Sequence, residues 1–123
     1  MNENNSLPHH HEGHSEEKLV EQLPDSGVVS AVAEALGQLG DPSRLQIFWI
    51  LCHCEACVTN LAAMVNMTTP AVSHHLRVLK AGNLVSSRRD GKEMHYSASD
   101  TPLVRSLHRT IEEIGRITCP GKE

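Results

Sequence analysis

The stretch Thr59–Gly82 contains the pattern of two short helices separated by a break of only three residues. Asn66-Met67-Thr68 interrupts the apolar pattern of the first helix, which Thr59 or Asn60 can cap. Thr69-Pro70 then provides a new helix cap with proline in the first turn. The apolar residues of the first helix are Leu61, Ala62, Met64 and Val65. Two helices joined by so tight a turn predict a helix-turn-helix.

The second of these helices is amphipathic. Val72, Leu76 and Leu79 are spaced by four and three residues, which places them on one apolar stripe. Gly82 predicts a left-handed stop. The opposite face is polar and carries Ser73, His74, Arg77 and Lys80. His75 lies beside the stripe, where a structural role and a contact with DNA are both open.

A β-hairpin is predicted directly after this helix, because two extended runs within Leu84–Ala98 flank the turn signal Asp90-Gly91. Its tip is basic, with Arg88, Arg89 and Lys92. A hairpin that follows the second helix of a helix-turn-helix is the wing of a winged helix.

Three further helices complete the predicted fold, which is mainly α with one small hairpin. One follows Ser26 with apolar residues from Val28 to Leu39, a second begins at Asp41-Pro42, and the last follows Asp100. The last helix carries a longer apolar stripe than a small domain can cover alone, so we expect this helix to form part of a dimer interface. This stripe consists of Leu103, Val104, Leu107, Ile111, Ile114 and Ile117.

The chain of 123 residues is long enough for one domain with an aliphatic core. We predict a disordered, histidine-rich acidic arm over 1–25, a DNA-binding and dimerisation domain over 26–118, and a short tail over 119–123. The net charge of −4 is unevenly distributed. Residues 1–25 carry six acidic residues and one lysine, whereas residues 68–95 carry five basic and two acidic residues. Because salt screens charges over about 8 Å, the local positive charge permits phosphate contacts.

No stretch has the length of a membrane span, since the longest apolar run, Ile47–Cys52, has six residues. The N-terminus lacks the charge and apolar pattern of a signal peptide. We therefore expect a cytoplasmic protein, in which clustered cysteines act as ligands or redox sensors rather than as structural disulfides.

The second helix of the helix-turn-helix is predicted to enter the major groove of DNA, while the wing contacts the flanking backbone or minor groove. The residues predicted to contact DNA are Thr68, Thr69, Ser73, His74, Arg77, Lys80, Arg88, Arg89 and Lys92.

Cys52, Cys54 and Cys57 directly precede this DNA-reading segment. Cys54 and Cys57 are three residues apart and would share a face on a helix, whereas Cys52 can join them only if the chain bends. Thiolates favour Zn(II), Cd(II), Pb(II), Cu(I) or As(III) over hard ions. A tetrahedral site needs four ligands, and the arm histidines His9, His10, His11 and His14 are candidates for the remainder.

Three runs resemble the ArsR/SmtB family of metal-sensing winged-helix repressors: L-G-D-P-S-R-L-Q-I from Leu39, T-P-A-V-S-H-H-L-R-V-L-K-A-G-N-L-V from Thr69, and R-R-D-G-K-E-M-H-Y-S from Arg88. The resemblance implies a homodimer joined by its first and last helices. It also implies that the metal-free dimer binds a palindromic operator and releases it when metal binds.

The resemblance also bears on the ligands. Cys57 occupies the first cysteine of the family's metal motif, and Thr59 stands where the second would be. Arm histidines of one subunit would complete the site. The family's other site, on the last helix, is expected to be absent because its positions hold Asp100, Pro102, Glu113 and Arg116.

Two alternatives remain open. In the first, the protein is a DNA-binding repressor of the same fold whose cysteines sense redox state or reactive sulfur. In the second, the protein handles metal and does not bind DNA. Catalysis is not expected, because no nucleophile–base pair or glycine-rich phosphate loop is recognisable. Cys119 is a candidate for a redox pair or for pairing with a partner's cysteine, although a free surface thiol is the simpler interpretation.

Overall fold

The structure, a computed structural model, describes residues 7–9 and 15–118, with side chains as far as Arg116. The chain divides into two compact units, residues 1–36 and residues 37–123. Unit 1 contains helix α1 (Glu16–Gln22) and most of helix α2 (Ser26–Gln38). Asp25 caps α2, because its carboxylate accepts a hydrogen bond from the Val28 amide at 3.0 Å.

Helix α1 corrects the expectation that residues 1–25 lack regular structure. Its sequence E-E-K-L-V-E-Q consists almost entirely of residues with high helix propensity, and Glu16 and Glu17 favour the positive end of the helix dipole. We missed it because seven residues are too few to establish an apolar period.

Unit 2 begins with three helices, α3 (Pro42–Leu51), α4 (Val58–Val65) and α5 (Thr69–Ala81). Asp41 caps α3 as predicted, accepting from the Arg44 amide at 2.9 Å. At the turn between α4 and α5, Asn66 adopts the left-handed conformation (φ 56°) that ends α4. The helix-turn-helix is therefore formed by α4, this turn and α5.

A three-stranded antiparallel sheet in the order β1-β3-β2 accompanies the helices, with β1 (Ala56–Cys57), β2 (Val85–Asp90) and β3 (Glu93–Ala98). Strands β2 and β3 form the predicted wing, and their pairing of Asp90 with Glu93 leaves Gly91-Lys92 as the turn. We did not predict β1, which pairs Cys57 with His95. Helix α6 (Pro102–Thr118) follows the sheet.

The core of unit 2 is aliphatic apart from Phe48 and lies between the helices and the base of the wing. Helix α5 contributes its predicted stripe, with Val72, Leu76 and Leu79 almost fully buried. The other core residues include Ile47, Leu51, Leu61, Leu84, Val85, Val104 and Leu107. Among the described residues, no helix combines the length and apolar character of a membrane span.

The predicted cap of α4 requires correction. The helix begins at Val58, so Cys57 occupies the cap position in place of Thr59 or Asn60, and its side chain makes no capping hydrogen bond. Backbone pairing of β1 extends to Cys57 and therefore places the helix start earlier than cap preferences alone would.

The other two predicted caps lie one residue from their true positions. Thr68, not Thr69, caps α5 by accepting from the Ala71 amide at 3.3 Å. Thr101, not Asp100, is the residue whose hydroxyl accepts from the Val104 amide, at 3.1 Å, at the start of α6. In both cases a threonine and a nearby proline set the start of the helix, as the cap-plus-proline pattern requires.

Gly82 is not left-handed, since its φ is −88°, whereas Asn83 has a φ of 62°. The need for glycine at position 82 has a tertiary cause: a Cβ there would collide with the side-chain amide of Gln38.

Candidate nucleic-acid interface and metal ligands

Helix α5 presents its polar face to solvent. His74, Arg77 and Lys80 are exposed and Ser73 is half-buried, while the opposite stripe faces the core. Thr68 and Thr69 are exposed at the N-terminus of the helix, where backbone N–H groups and the helix dipole favour a phosphate. This arrangement brings the predicted DNA-contacting residues of the helix together on one surface.

His75 has a structural role. Its ring is largely buried, and Nδ1 accepts a hydrogen bond from Arg44 Nε at 3.3 Å. Burial lowers the pKa of His75 below its usual value of 6.5, although the nearby Asp41 carboxylate opposes this effect. Asp41 itself has a lowered pKa, chiefly because it accepts the Arg44 amide. His75 thus ties the start of α3 to α5.

The wing carries the remaining predicted DNA contacts, and one of them is already paired. Arg88 donates two hydrogen bonds to the Glu55 carboxylate, at 2.9 and 2.6 Å. These bonds lower the pKa of Glu55 and raise that of Arg88. Arg89 and Lys92 are exposed at the tip. Lys80 Nζ donates to Ser87 Oγ at 2.6 Å, which joins α5 to the wing.

The cysteines lie at three different levels of burial. Cys52 follows α3 and is half-buried, Cys54 is exposed, and Cys57 is buried in β1. The helical face proposed for Cys54 and Cys57 does not exist, because residues 52–57 form a turn and a strand. The bend that Cys52 requires is present, since α3 ends at Leu51.

In this conformation the described residues do not bring the three thiols into one ligand group. Burial, reinforced by the negative charge of Glu112, raises the pKa of Cys52 to about 11. Cys52 is therefore a neutral thiol at physiological pH. Of the histidines predicted to complete the site, His9 is exposed, whereas His10, His11 and His14 lie outside the described residues, as does Cys119.

The described residues contain one cluster of three potential metal ligands, which we did not predict: His53, His108 and Glu112. His53 follows α3, and the other two lie one turn apart on α6. Hydrogen bonds lower the pKa of Glu112. The largest effect comes from Trp49 Nε1, which donates at 2.7 Å, and the next largest from His53. The spacing of His108 and Glu112 is a detectable sequence signal, but His53 is brought to them only by the packing of the helices.

Comparison with known proteins identifies the family. Residues 41–87 match the family described as "Bacterial regulatory protein, arsR family". A SmtB homologue of Synechocystis, described as a transcriptional repressor, is 40% identical over 82 residues, which cover 67% of this chain and 61% of that protein. The regulator NmtR of Mycobacterium tuberculosis is 40% identical over 87 residues, covering 71% of this chain and 72% of that protein. This chain belongs to the ArsR family.

Solved structures confirm the winged helix-turn-helix fold. NolR from Sinorhizobium fredii superimposes with a TM-score of 0.67 at 33% identity, covering 75% of this chain and 95% of NolR. A homodimeric winged helix-turn-helix domain from Mycobacterium bovis, described as a possible ArsR-family regulator, gives a TM-score of 0.65 at 27% identity. The latter match covers 76% of this chain and 87% of that domain.

Proposed function

We propose that this ArsR-family protein is a transcriptional repressor that binds operator DNA as a homodimer and releases it when a thiophilic metal binds near Cys54 and Cys57. The observation that carries the proposal is that the cysteine loop, residues 52–57, ends in β1, which belongs to the same sheet as the wing. Cys57 pairs with His95 of β3, and Glu55 in the same loop holds Arg88 of β2. A change in the loop therefore reaches the DNA-binding surface directly.

Helix α5 is the reading element in this proposal. Ser73 and His74 would reach base edges, and Arg77 a guanine or a phosphate. Thr68, Thr69 and Lys80 would contact phosphates at the two ends of the helix, while Arg89 and Lys92 would extend the contact along the flanking backbone. Arg88 would join them only when Glu55 releases it.

A homodimer is supported by apolar surface that a single chain leaves open. On α2, Val28, Val29, Val32 and Leu36 are each about half exposed, with values from 48% to 56%. On α6, Leu103 and Ile114 are 46% and 54% exposed. Exposed apolar side chains of this size on each helix favour association, and two copies would present two recognition helices to successive major grooves.

Metal capture requires the cysteine loop to move. Cys57 is buried and Cys52 is a neutral thiol, so their sulfurs become ligands only with local rearrangement and deprotonation. Movement of Cys57 disturbs its pairing with His95, and movement of Glu55 redirects Arg88. A metal that binds the rearranged conformation of the loop more tightly than the conformation seen in this structure shifts the population away from the DNA-binding state. Thiolates with histidines favour Zn(II) or Cd(II); Pb(II), Cu(I) and As(III) are further candidates.

The test measures binding of the full-length protein to a duplex selected from a random pool, by fluorescence anisotropy, with and without Cd(II) or Zn(II). We expect metal to release the DNA from the wild-type protein and not from a Cys54→Ser/Cys57→Ser protein. Cys52→Ser, measured separately, reports whether Cys52 is a third ligand.

A fourth protein, with His9, His10, His11 and His14 all changed to Ala, examines the arm. Loss of the Zn(II) response with survival of the As(III) response would assign the arm histidines to a tetrahedral site. Normal metal-dependent release by the cysteine variants would contradict the proposed inducer site. Release by oxidant or persulfide in place of metal would favour the thiol-sensor alternative.

A further inference from the structure

A compact ligand cluster lies between the end of α3 and the middle of α6, and it contains none of the three thiols, although its member His53 belongs to the cysteine loop. The Nε2 atoms of His53 and His108 are 3.2 Å apart, and each is 3.2 Å from Glu112 Oε2. The two imidazole rings are nearly perpendicular, with centroids 4.8 Å apart. Three electron-pair donors therefore form an almost equilateral triangle.

The size of this triangle matches the coordination shell of a first-row divalent metal. In a tetrahedral zinc site with bonds of about 2.05 Å, two ligand atoms are separated by about 3.3 Å. The observed separation of 3.2 Å is close to that value. An ion at that bond length would lie about 0.9 Å above the plane of the three atoms, which leaves a fourth position open for water or another ligand.

Hydrogen bonding supports the carboxylate in the manner of many metal sites. Trp49 Nε1 donates to Glu112 Oε2 at 2.7 Å and thereby fixes the orientation of the carboxyl group. The site is also accessible, because His53 is exposed and His108 lines a cavity of about 190 Å³ together with Cys52 and Asp100.

We propose that His53, His108 and Glu112 form a second metal site, with two nitrogen ligands and one oxygen ligand, for a divalent ion of the Zn(II) or Co(II) type. Without an ion, hydrogen bonds must satisfy the two imidazole nitrogens and the carboxylate oxygen that face one another. One imidazole N–H donates to the carboxylate, and at most one more proton lies between the two rings. An ion replaces this arrangement with three bonds.

Metal at this site joins α3 to α6, because His53 and His108 are 55 residues apart in the chain. Such a link is formed only in the folded protein, so binding raises the apparent stability. The ligand chemistry separates this site from the thiols of the cysteine loop: nitrogen and oxygen ligands accept Zn(II), Co(II) or Ni(II), and they hold Cu(I) or As(III) poorly.

Co(II) is the probe, because its spectrum distinguishes the two kinds of ligand. We expect the full-length wild-type protein to bind one equivalent per protomer at this site with d–d absorption and no sulfur charge-transfer band. The Cys54→Ser/Cys57→Ser protein retains this equivalent, and His108→Gln and His53→Gln lose it. His74→Gln, a change of an exposed histidine outside the cluster, is the matched control and retains it.

Two variants keep the proposal testable if a histidine change harms folding. Glu112→Gln still offers an oxygen to Trp49 but loses the charged ligand. Trp49→Phe keeps all three ligands but removes the supporting hydrogen bond, and we expect Co(II) affinity to fall by about 10- to 100-fold. In the Cys54→Ser/Cys57→Ser background, Zn(II) should raise the melting temperature, and adding His108→Gln should abolish that rise.

Equal Co(II) stoichiometry and spectra in the wild-type, His53→Gln, His108→Gln and Glu112→Gln proteins would overturn the proposal. It is independent of the proposed repressor function. A protein that fails to bind DNA, or fails to release it, would still give the expected Co(II) result if this site exists.

Discussion

The ion pair between Glu55 and Arg88 makes a prediction about the salt dependence of DNA binding. Glu55 accepts two hydrogen bonds from the guanidinium of Arg88, and this contact directs a wing cation toward the cysteine loop. Glu55→Gln removes the negative charge and weakens the bidentate contact. We expect Arg88 to become available to a phosphate group of bound DNA.

The magnitude follows from counterion release. Each additional phosphate contact steepens the slope of log K against log salt concentration by about 0.9. A dimer gains two such contacts, so its slope changes by about 1.8. Between about 50 and 200 mM salt, the Glu55→Gln protein should lose about 12-fold more affinity than the wild type.

Fluorescence anisotropy with the selected duplex, titrated at four or more salt concentrations, measures this slope. Glu93→Gln is the matched control, because it removes an equal charge from the wing itself without touching the Arg88 pair. Combining Glu55→Gln with Arg88→Gln should restore the wild-type slope. Equal slopes for wild type and Glu55→Gln, or an equal change in Glu93→Gln, would refute the idea that Glu55 holds Arg88 away from DNA.

Three further predictions concern stability and thiol reactivity. Thr68→Ala removes the α5 cap and should lower the free energy of unfolding by about 1 kcal/mol in urea denaturation, whereas Thr69→Ala should have a smaller effect. Because the pKa of His75 is lowered in the folded protein, its contribution to stability is present above the unfolded pKa of about 6.5 and is lost as the pH falls through the folded value. His75→Gln should therefore flatten the dependence of melting temperature on pH below about 6.5, and an unchanged dependence would contradict the assignment. With its pKa raised to about 11, Cys52 should react with iodoacetamide at pH 8 much more slowly than exposed Cys54, as mass spectrometry of the alkylated peptides can establish.

Most of the fold could be predicted because its signals are local. The cap at Asp41, the stripe Val72, Leu76 and Leu79, and the turn at Gly91 each depend on residues within one or two turns of chain. Errors of one residue at Thr68 and Thr101 arose where neighbouring polar residues offered competing caps. Helix α1 was too short to produce a period, and β1 has only two residues and depends on a distant partner.

The sequence by itself determined the order of helices α2 to α6, the polar face of α5 and the basic wing, because spacing along the chain decides which residues share a face. Tertiary structure decided where the chemistry lies. It paired Glu55 with Arg88 across 33 residues and placed Cys57 in a strand opposite His95. It also brought His53 to His108 across 55 residues. These contacts depend on how the helices and the sheet pack around a common core, which no local pattern in the chain encodes.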